Sequence, residues 1–242
     1  MWHDIRAAFS FLTILPFGYG VAARPPGYSF SAYPVVGLVI GLALAATASL
    51  SPLPPHVTAF LVLVAWVIVT GGLHLDGFGD SCDGLLATTP PERRLAIMKD
   101  PQAGSWAVIG LILLLLGKWT LIQTVPPLLL VIPPIIGRWA MVIAVYAFPY
   151  ARASGLGAYF RDGLSRTQVI IASGIALCGV LAAGRSLPPV VIAFGTGAFT
   201  IGLVGSWAAR RLGGGITGDV YGALCELIEL GCLLGFSVWV SG

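Results

Sequence analysis

Charge is scarce in this chain of 242 residues. Only 10% of the residues are Asp, Glu, Lys or Arg, while 57% are hydrophobic. An ordinary soluble domain carries roughly 25% charged residues, so this composition excludes a water-dispersed globule and makes lipid the natural solvent. The four cysteines, Cys82, Cys178, Cys225 and Cys232, form no C-x-x-C pair. Neither a structural zinc site nor a redox motif is therefore indicated, and packing roles are expected for all four. Histidine is limited to His3, His56 and His74. The formal net charge is only +3, and no nucleic-acid partner is expected. No charged n-region precedes a small-residue cleavage site, so no removable signal peptide is expected. There is no low-complexity segment and no fixed-period repeat; one domain over 1–242 is the simplest account.

What is present is a series of apolar runs. A spanning helix needs about 20 mainly apolar residues. Stretches at 32–51, 57–73, 104–123, 126–148, 169–184, 188–207 and 219–240 meet or approach that length. Prolines punctuate the gaps: Pro52, Pro54 and Pro55, then Pro126 and Pro127, then Pro188 and Pro189. The expected fold is all-α, a polytopic membrane bundle of about seven transmembrane helices. Phe9, Phe11, Leu12, Leu15 and Phe17 make a shorter run that Pro16 and Gly18 interrupt, which predicts an N-terminal interfacial helix.

The basic residues divide unevenly once the spans are laid out. With a cytoplasmic N-terminus, Arg6, Arg24, Arg93, Arg94, Lys99, Arg152, Arg161, Arg166, Arg210 and Arg211 share the cytoplasmic side. Arg185 alone falls opposite, and Lys118 and Arg138 lie within spans. The positive-inside rule predicts this bias and orients the bundle. Asp76, Asp80, Asp83, Glu92, Asp100 and Asp162 gather on the same side, which the rule does not require and which points to a site there.

Two acidic motifs carry the chemistry. Gly71–Gly84 reads GGLHLDGFGDSCDG, with Asp76, Asp80 and Asp83 at i, i+4 and i+7. On a helix these fall within roughly a 60° arc. Three carboxylates facing one way at a bilayer edge repel one another, and a divalent cation relieves the repulsion. Magnesium takes oxygen ligands, a few carboxylates plus substrate phosphates. The plainer reading is a solvated acidic loop, but such a loop needs neither helical spacing nor the interleaved Gly77, Gly79 and Gly84. The second motif, Gly213–Glu229, reads GGGITGDVYGALCELIE and places Asp219 and Glu226 at i and i+7. Two such helices can share one or two cations in phosphoryl displacement. The alternative is that Glu226 and Glu229 pair with Arg138 or Lys118 inside the bundle, and both cations can also snorkel. Arg93, Arg94, Lys99, Tyr150, Arg152 and Arg211 flank the acids; they are either phosphate-holding groups or plain topology determinants. His74, two residues before Asp76, is a base, a ligand or a packed residue.

These residues carry a resemblance. HLDGFGDSCDG, then ERRLAIMKDPQAGSWA, resembles the cobalamin synthase (adenosylcobinamide-GDP ribazoletransferase) family. FLTILP (11–16), YPVVG (33–37), PYARASGLG (149–157) and GGITGDVYGALCE (214–226) match further signatures in the same order, over nearly the whole chain. Phe78-Gly79 stands where the family commonly has Leu-Ala, and Cys82 stands where Ala or Cys is common; the acids are untouched. The resemblance implies transfer of the cobinamide phosphate of adenosylcobinamide-GDP to α-ribazole or its 5′-phosphate, with loss of GMP and with Mg2+ as cofactor. It implies a bacterial inner-membrane location with the site facing the cytoplasm, and it leaves a homo-oligomer open. On this reading Asp76, Asp80, Asp83, Asp219 and Glu226 are the expected metal ligands. Asp80, Asp83 and His74 are the candidates for proton transfer. Arg93, Arg94, Lys99, Lys118, Arg138, Tyr150, Arg152, Arg211 and Thr217 are the candidates for substrate binding.

Rival classes match less well. CDP-alcohol phosphotransferases carry D-G-x-x-A-R, and here Asp80-Ser81 stands where Ala-Arg would be; aromatic prenyltransferases open their motif with Asn-Asp where Leu75-Asp76 stands. A transporter would place its acids near the bilayer midplane, not at one face.

Overall fold

A computed structural model describes residues 2–17, 25–152 and 161–242. The described residues form helices: α1 (Trp2–Leu12), α2 (Tyr33–Leu50), α3 (Pro55–Thr70), α4 (Leu73–Leu86), α5 (Pro91–Ile97), α6 (Ser105–Ile122), α7 (Ile132–Ala147), α8 (Arg166–Gly184), α9 (Leu187–Thr200), α10 (Ser206–Arg211) and α11 (Gly218–Ser241). Tight 3-10 turns lead into α2 and α7, and a π turn at Ile201–Gly205 joins α9 to α10. Prolines start several helices: α2, α3, α5, α7 and α9 each carry proline in the first positions, where the missing N–H costs nothing. Ser165 starts α8 through a reciprocal capping box with Gln168.

Six stretches are long and apolar enough to cross a membrane, or up to seven if α3 and α4 form one bent span. This agrees with the spans expected from sequence. The pair α3–α4 is the departure. Gly71 and Gly72 both adopt left-handed backbone, at φ 61° and 69°, and α4 leaves the axis of α3 at 90°. The three aspartates, expected on one face of a helix, lie on such a helix, which packs between α6 and α11. α1 has 11 residues, too short to cross, and buries Ala8, Phe9 and Leu12.

α7 is the centre of the bundle, with α2, α8, α9 and α11 around it. Its Ile132, Ile135, Ile136, Ala140, Val142 and Ala144 are essentially inaccessible. By contrast Leu113, Phe199, Ile170 and Val238, on α6, α9, α8 and α11, are exposed as lipid-facing positions would be. In lipid, helices associate through close packing and hydrogen bonds more than through water exclusion. The close approach that matters most for the site is between α4 and α11. A Cβ at Gly77 would come within 2.9 Å of the Asp219 carbonyl oxygen, so only glycine allows the two helices to meet there.

Candidate active site

The site lies where the first turns of α4 and α11 meet. Thr217 caps α11, its hydroxyl accepting the Val220 N–H at 3.4 Å. Two residues on, Asp219 accepts hydrogen bonds at one oxygen from the Thr217 hydroxyl at 3.1 Å and from Arg152 Nη2 at 3.0 Å. Arg152 is brought there by backbone pairing. Ile216 N–H donates to Pro149 O at 2.9 Å and Ala151 N–H to Ile216 O at 3.0 Å, which ties the segment after α7 to the segment before α11.

A cavity of about 440 Å³ opens at this junction. It is lined by His74, Asp76, Lys99, Tyr150, Arg152 and Asp219 among the residues singled out from sequence. Asp76 and Lys99 are exposed, whereas His74 is only 2% exposed and its Nε2 has no hydrogen-bond partner among the described residues. Asp80 sits one turn along α4 and is half-buried; among the charges acting on it, Asp219 and Asp76 repel it and Arg152 attracts it. Seven of the expected site residues, Asp76, Asp80, Lys99, Tyr150, Arg152, Thr217 and Asp219, thus share one electrostatic neighbourhood, and His74 lies at its buried edge.

Other candidates are placed elsewhere. Asp83 accepts the backbone N–H of Gly104 at 2.6 Å and of Ala107 at 3.0 Å, one on each oxygen. It caps the start of α6, satisfying N–H groups that a helix start leaves open. Arg94 is buried and donates to the Gly84 and Leu85 carbonyls at 3.1 and 2.8 Å. Arg211 donates to Leu85 O at 2.8 Å and to Ala87 O at 3.1 Å. Two guanidinium groups therefore close the C-terminal end of α4, where the helix dipole favours cations. Arg93 is exposed on α5.

Glu226 is not brought to the aspartates, although it shares their helix face by spacing. Seven residues of helix separate it from Asp219 by about 10 Å along the axis. Its carboxylate receives Lys118 Nζ at 2.6 Å. Lys118 also reaches Glu229 at 2.5 Å, and Arg138 pairs with the other Glu229 oxygen. Lys118 lies 4.2 Å from the Trp66 ring centroid. All four charged side chains are buried, so neither cation snorkels; they form a neutral set of two acids and two bases joining α6, α7 and α11. This is the pairing alternative, and it gives Lys118 and Arg138 a structural bond in place of the expected contact with substrate.

Among the described residues no three His, Cys, Asp or Glu side chains converge as a ready-made metal cage. Sequence reasoning also missed the apolar wall of the cavity, in particular Phe30, Tyr33, Met141, Val145 and Tyr221. The signals were Tyr221 inside the second motif, two residues past Asp219, and Tyr33 at the head of YPVVG.

Fold and site together define a multi-pass helical membrane protein with a carboxylate- and guanidinium-lined cavity at one end of its bundle. The sequence matches the family described as cobalamin-5-phosphate synthase over residues 4–237. The chain belongs to that family. It is 38% identical over 239 residues to the adenosylcobinamide-GDP ribazoletransferase of Desulfitobacterium hafniense (strain Y51), covering 94% of each chain. It is 42% identical over 238 residues to the protein of that name from Pseudomonas savastanoi pv. phaseolicola, covering 94% of this chain and 96% of the relative. No solved structure matches it.

Proposed function

We propose that this protein is an adenosylcobinamide-GDP ribazoletransferase: it joins adenosylcobinamide-GDP to α-ribazole, or to α-ribazole 5′-phosphate, and releases GMP. The carrying observation is the Asp219–Arg152 pair beside Asp76 in the lining of a cavity, in a chain similar to such a transferase over 94% of its length. The ribose 3′-hydroxyl attacks the phosphorus that bears the aminopropanol arm. The bond from that phosphorus to GMP breaks, and the hydroxyl proton passes to Asp76 or His74, which line the cavity. Arg152 and Lys99 face the negative charge that builds on the phosphoryl oxygens; fixed cations in a partly dry site stabilise such charge strongly.

The donor set suits magnesium. Mg2+ usually takes one or two carboxylates and completes its shell with water and substrate phosphate, so a closed protein cage is not needed. Asp76 and Asp80 would hold it, with the free oxygen of Asp219 adjacent. When bound it neutralises phosphate charge. Asp83 and Glu226 are engaged elsewhere and are left out of this set. Location in the bacterial inner membrane, with the cavity facing the cytoplasm, is supported by the basic residues gathered at that end. α1 then lies along the same face.

The test is GMP release from purified protein in nanodiscs, leaving out adenosylcobinamide-GDP, α-ribazole and magnesium in turn. Release that requires all three supports the reading. Well-folded protein that releases no GMP with all three present overturns it.

A further inference from the structure

The cavity lining is chemically divided. Asp76, Lys99, Arg152 and Asp219 supply charge. Phe11, Phe30, Tyr33, Met141, Val145 and Tyr221 supply an apolar and largely aromatic wall drawn from α1, the turn before α2, α2, α7 and α11. The Phe30 and Tyr33 rings pack with centroids 4.5 Å apart. Phosphate chemistry accounts for the charged side and leaves the aromatic wall unexplained. Within the lining, the Tyr221 hydroxyl and His74 Nε2 are buried and have no partner among the described residues. Buried polar atoms in folded proteins are nearly always bonded, so these two mark where a ligand completes the structure.

Size and polarity select among the reactants. About 440 Å³ lies low in the range of roughly 300–1,000 Å³ typical of small-molecule sites. That encloses a nucleoside, whereas a corrinoid is several times too large. Guanine presents N7, O6 and an exocyclic amine at its edges, more polar groups than the Tyr221 hydroxyl and His74 Nε2 can bond, and the remainder would lose water to the apolar wall without replacement. The base of α-ribazole, the acceptor in the reading above, is a benzimidazole, with a hydrocarbon edge and no exocyclic polar group.

We propose that this cavity is the seat of the acceptor, a riboside with an apolar two-ring aromatic base. The base enters against the aromatic wall and the Tyr221 hydroxyl bonds to the nucleoside. The ribose then lies toward Asp76 and Arg152, and the guanosine diphosphate and corrinoid stay outside the aromatic part. This rests on the transferase reading above and assigns one reactant to one space.

The experiment is equilibrium binding of α-ribazole alone to the full chain in detergent, by calorimetry, with no turnover needed. Val145→Trp fills the cavity and should weaken nucleoside binding by more than about tenfold. Tyr221→Phe removes only an unpartnered hydroxyl, so the fold is kept, and should weaken it about three- to tenfold. Adenosylcobinamide-GDP binding should change by less than about twofold in Tyr221→Phe. A Tyr221→Phe protein, or a folded Val145→Trp protein, that binds the nucleoside as tightly as the natural chain overturns the proposal. So does loss of affinity for adenosylcobinamide-GDP in place of the nucleoside. GMP release that persists alongside either of these results would leave the transferase reading standing while this assignment falls. Nucleoside binding that weakens as expected, in a chain that never releases GMP, would do the reverse.

Discussion

Replacing Glu229 with glutamine removes the one carboxylate that holds two buried cations at once. Glu229 is fully inaccessible and bonds both Lys118 and Arg138. In its absence Glu226 still faces Lys118, but among the described residues Arg138 keeps no carboxylate partner, and its Nε and Nη2 have no hydrogen-bond partner there. The buried set passes from neutral to a net charge of +1 inside the bundle. Breaking a buried pair by deleting one partner typically costs about 3–5 kcal/mol. A chain of this size shifts its melting temperature by about 2–4 °C per kcal/mol, so thermal unfolding in detergent should fall by roughly 6–20 °C. A second change, Arg138→Met in the Glu229→Gln background, restores neutrality and should recover a large part of that loss, which a double-mutant cycle reads as coupling. A Glu229→Gln protein that melts within about 2 °C of the natural chain would refute the reasoning, because a net buried charge cannot be that cheap in this setting.

Three further outcomes follow from the same geometry. Asp83→Ala strips the cap from α6 and should cost about 1–2 kcal/mol of stability, whereas Asp80→Asn should leave the melting temperature nearly unchanged and lower GMP release; comparison of the two variants separates cap from site. Gly77→Leu forces side-chain atoms against the Asp219 backbone and should destabilise by about 1–3 kcal/mol, with activity lost beyond what unfolding explains as α4 and α11 part. Chelation of divalent cations should abolish GMP release, magnesium should restore it, and the melting temperature should move little, since the ion pairs that hold the bundle use no metal.

Much of this arrangement was legible in residue order. Apolar runs broken by proline marked the spans, and the acids at i, i+4 and i+7 marked α4 as a helix with one charged face. What could not be read was the division of labour within each motif. Asp76, Asp80 and Asp83 look alike in spacing, and only the tertiary approach of the Gly104 and Ala107 N–H groups makes Asp83 a cap. Arg94 and Arg211 resemble Arg152 as basic flanks, but backbone carbonyls, which carry no sequence signature, claim the first two. Glu226 shares a face with Asp219, yet face identity says nothing of the distance along the axis or of the lysine that waits opposite. The bend at Gly71–Gly72 was present as two adjacent glycines, but its 90° angle depends on how α4 packs against α6 and α11. Tyr221 was hidden because a tyrosine in an apolar helix ordinarily signals packing alone.

The central claim is that the carboxylates and guanidinium at the α4–α11 junction perform the phosphate transfer. The most direct test is the rate of GMP release by Asp76→Asn, a change of charge without change of shape at an exposed cavity residue. Folded protein whose rate falls by about 100-fold or more, the scale expected for a lost electrostatic or acid–base group, is the predicted result. A folded Asp76→Asn protein that releases GMP at the natural rate would contradict the claim.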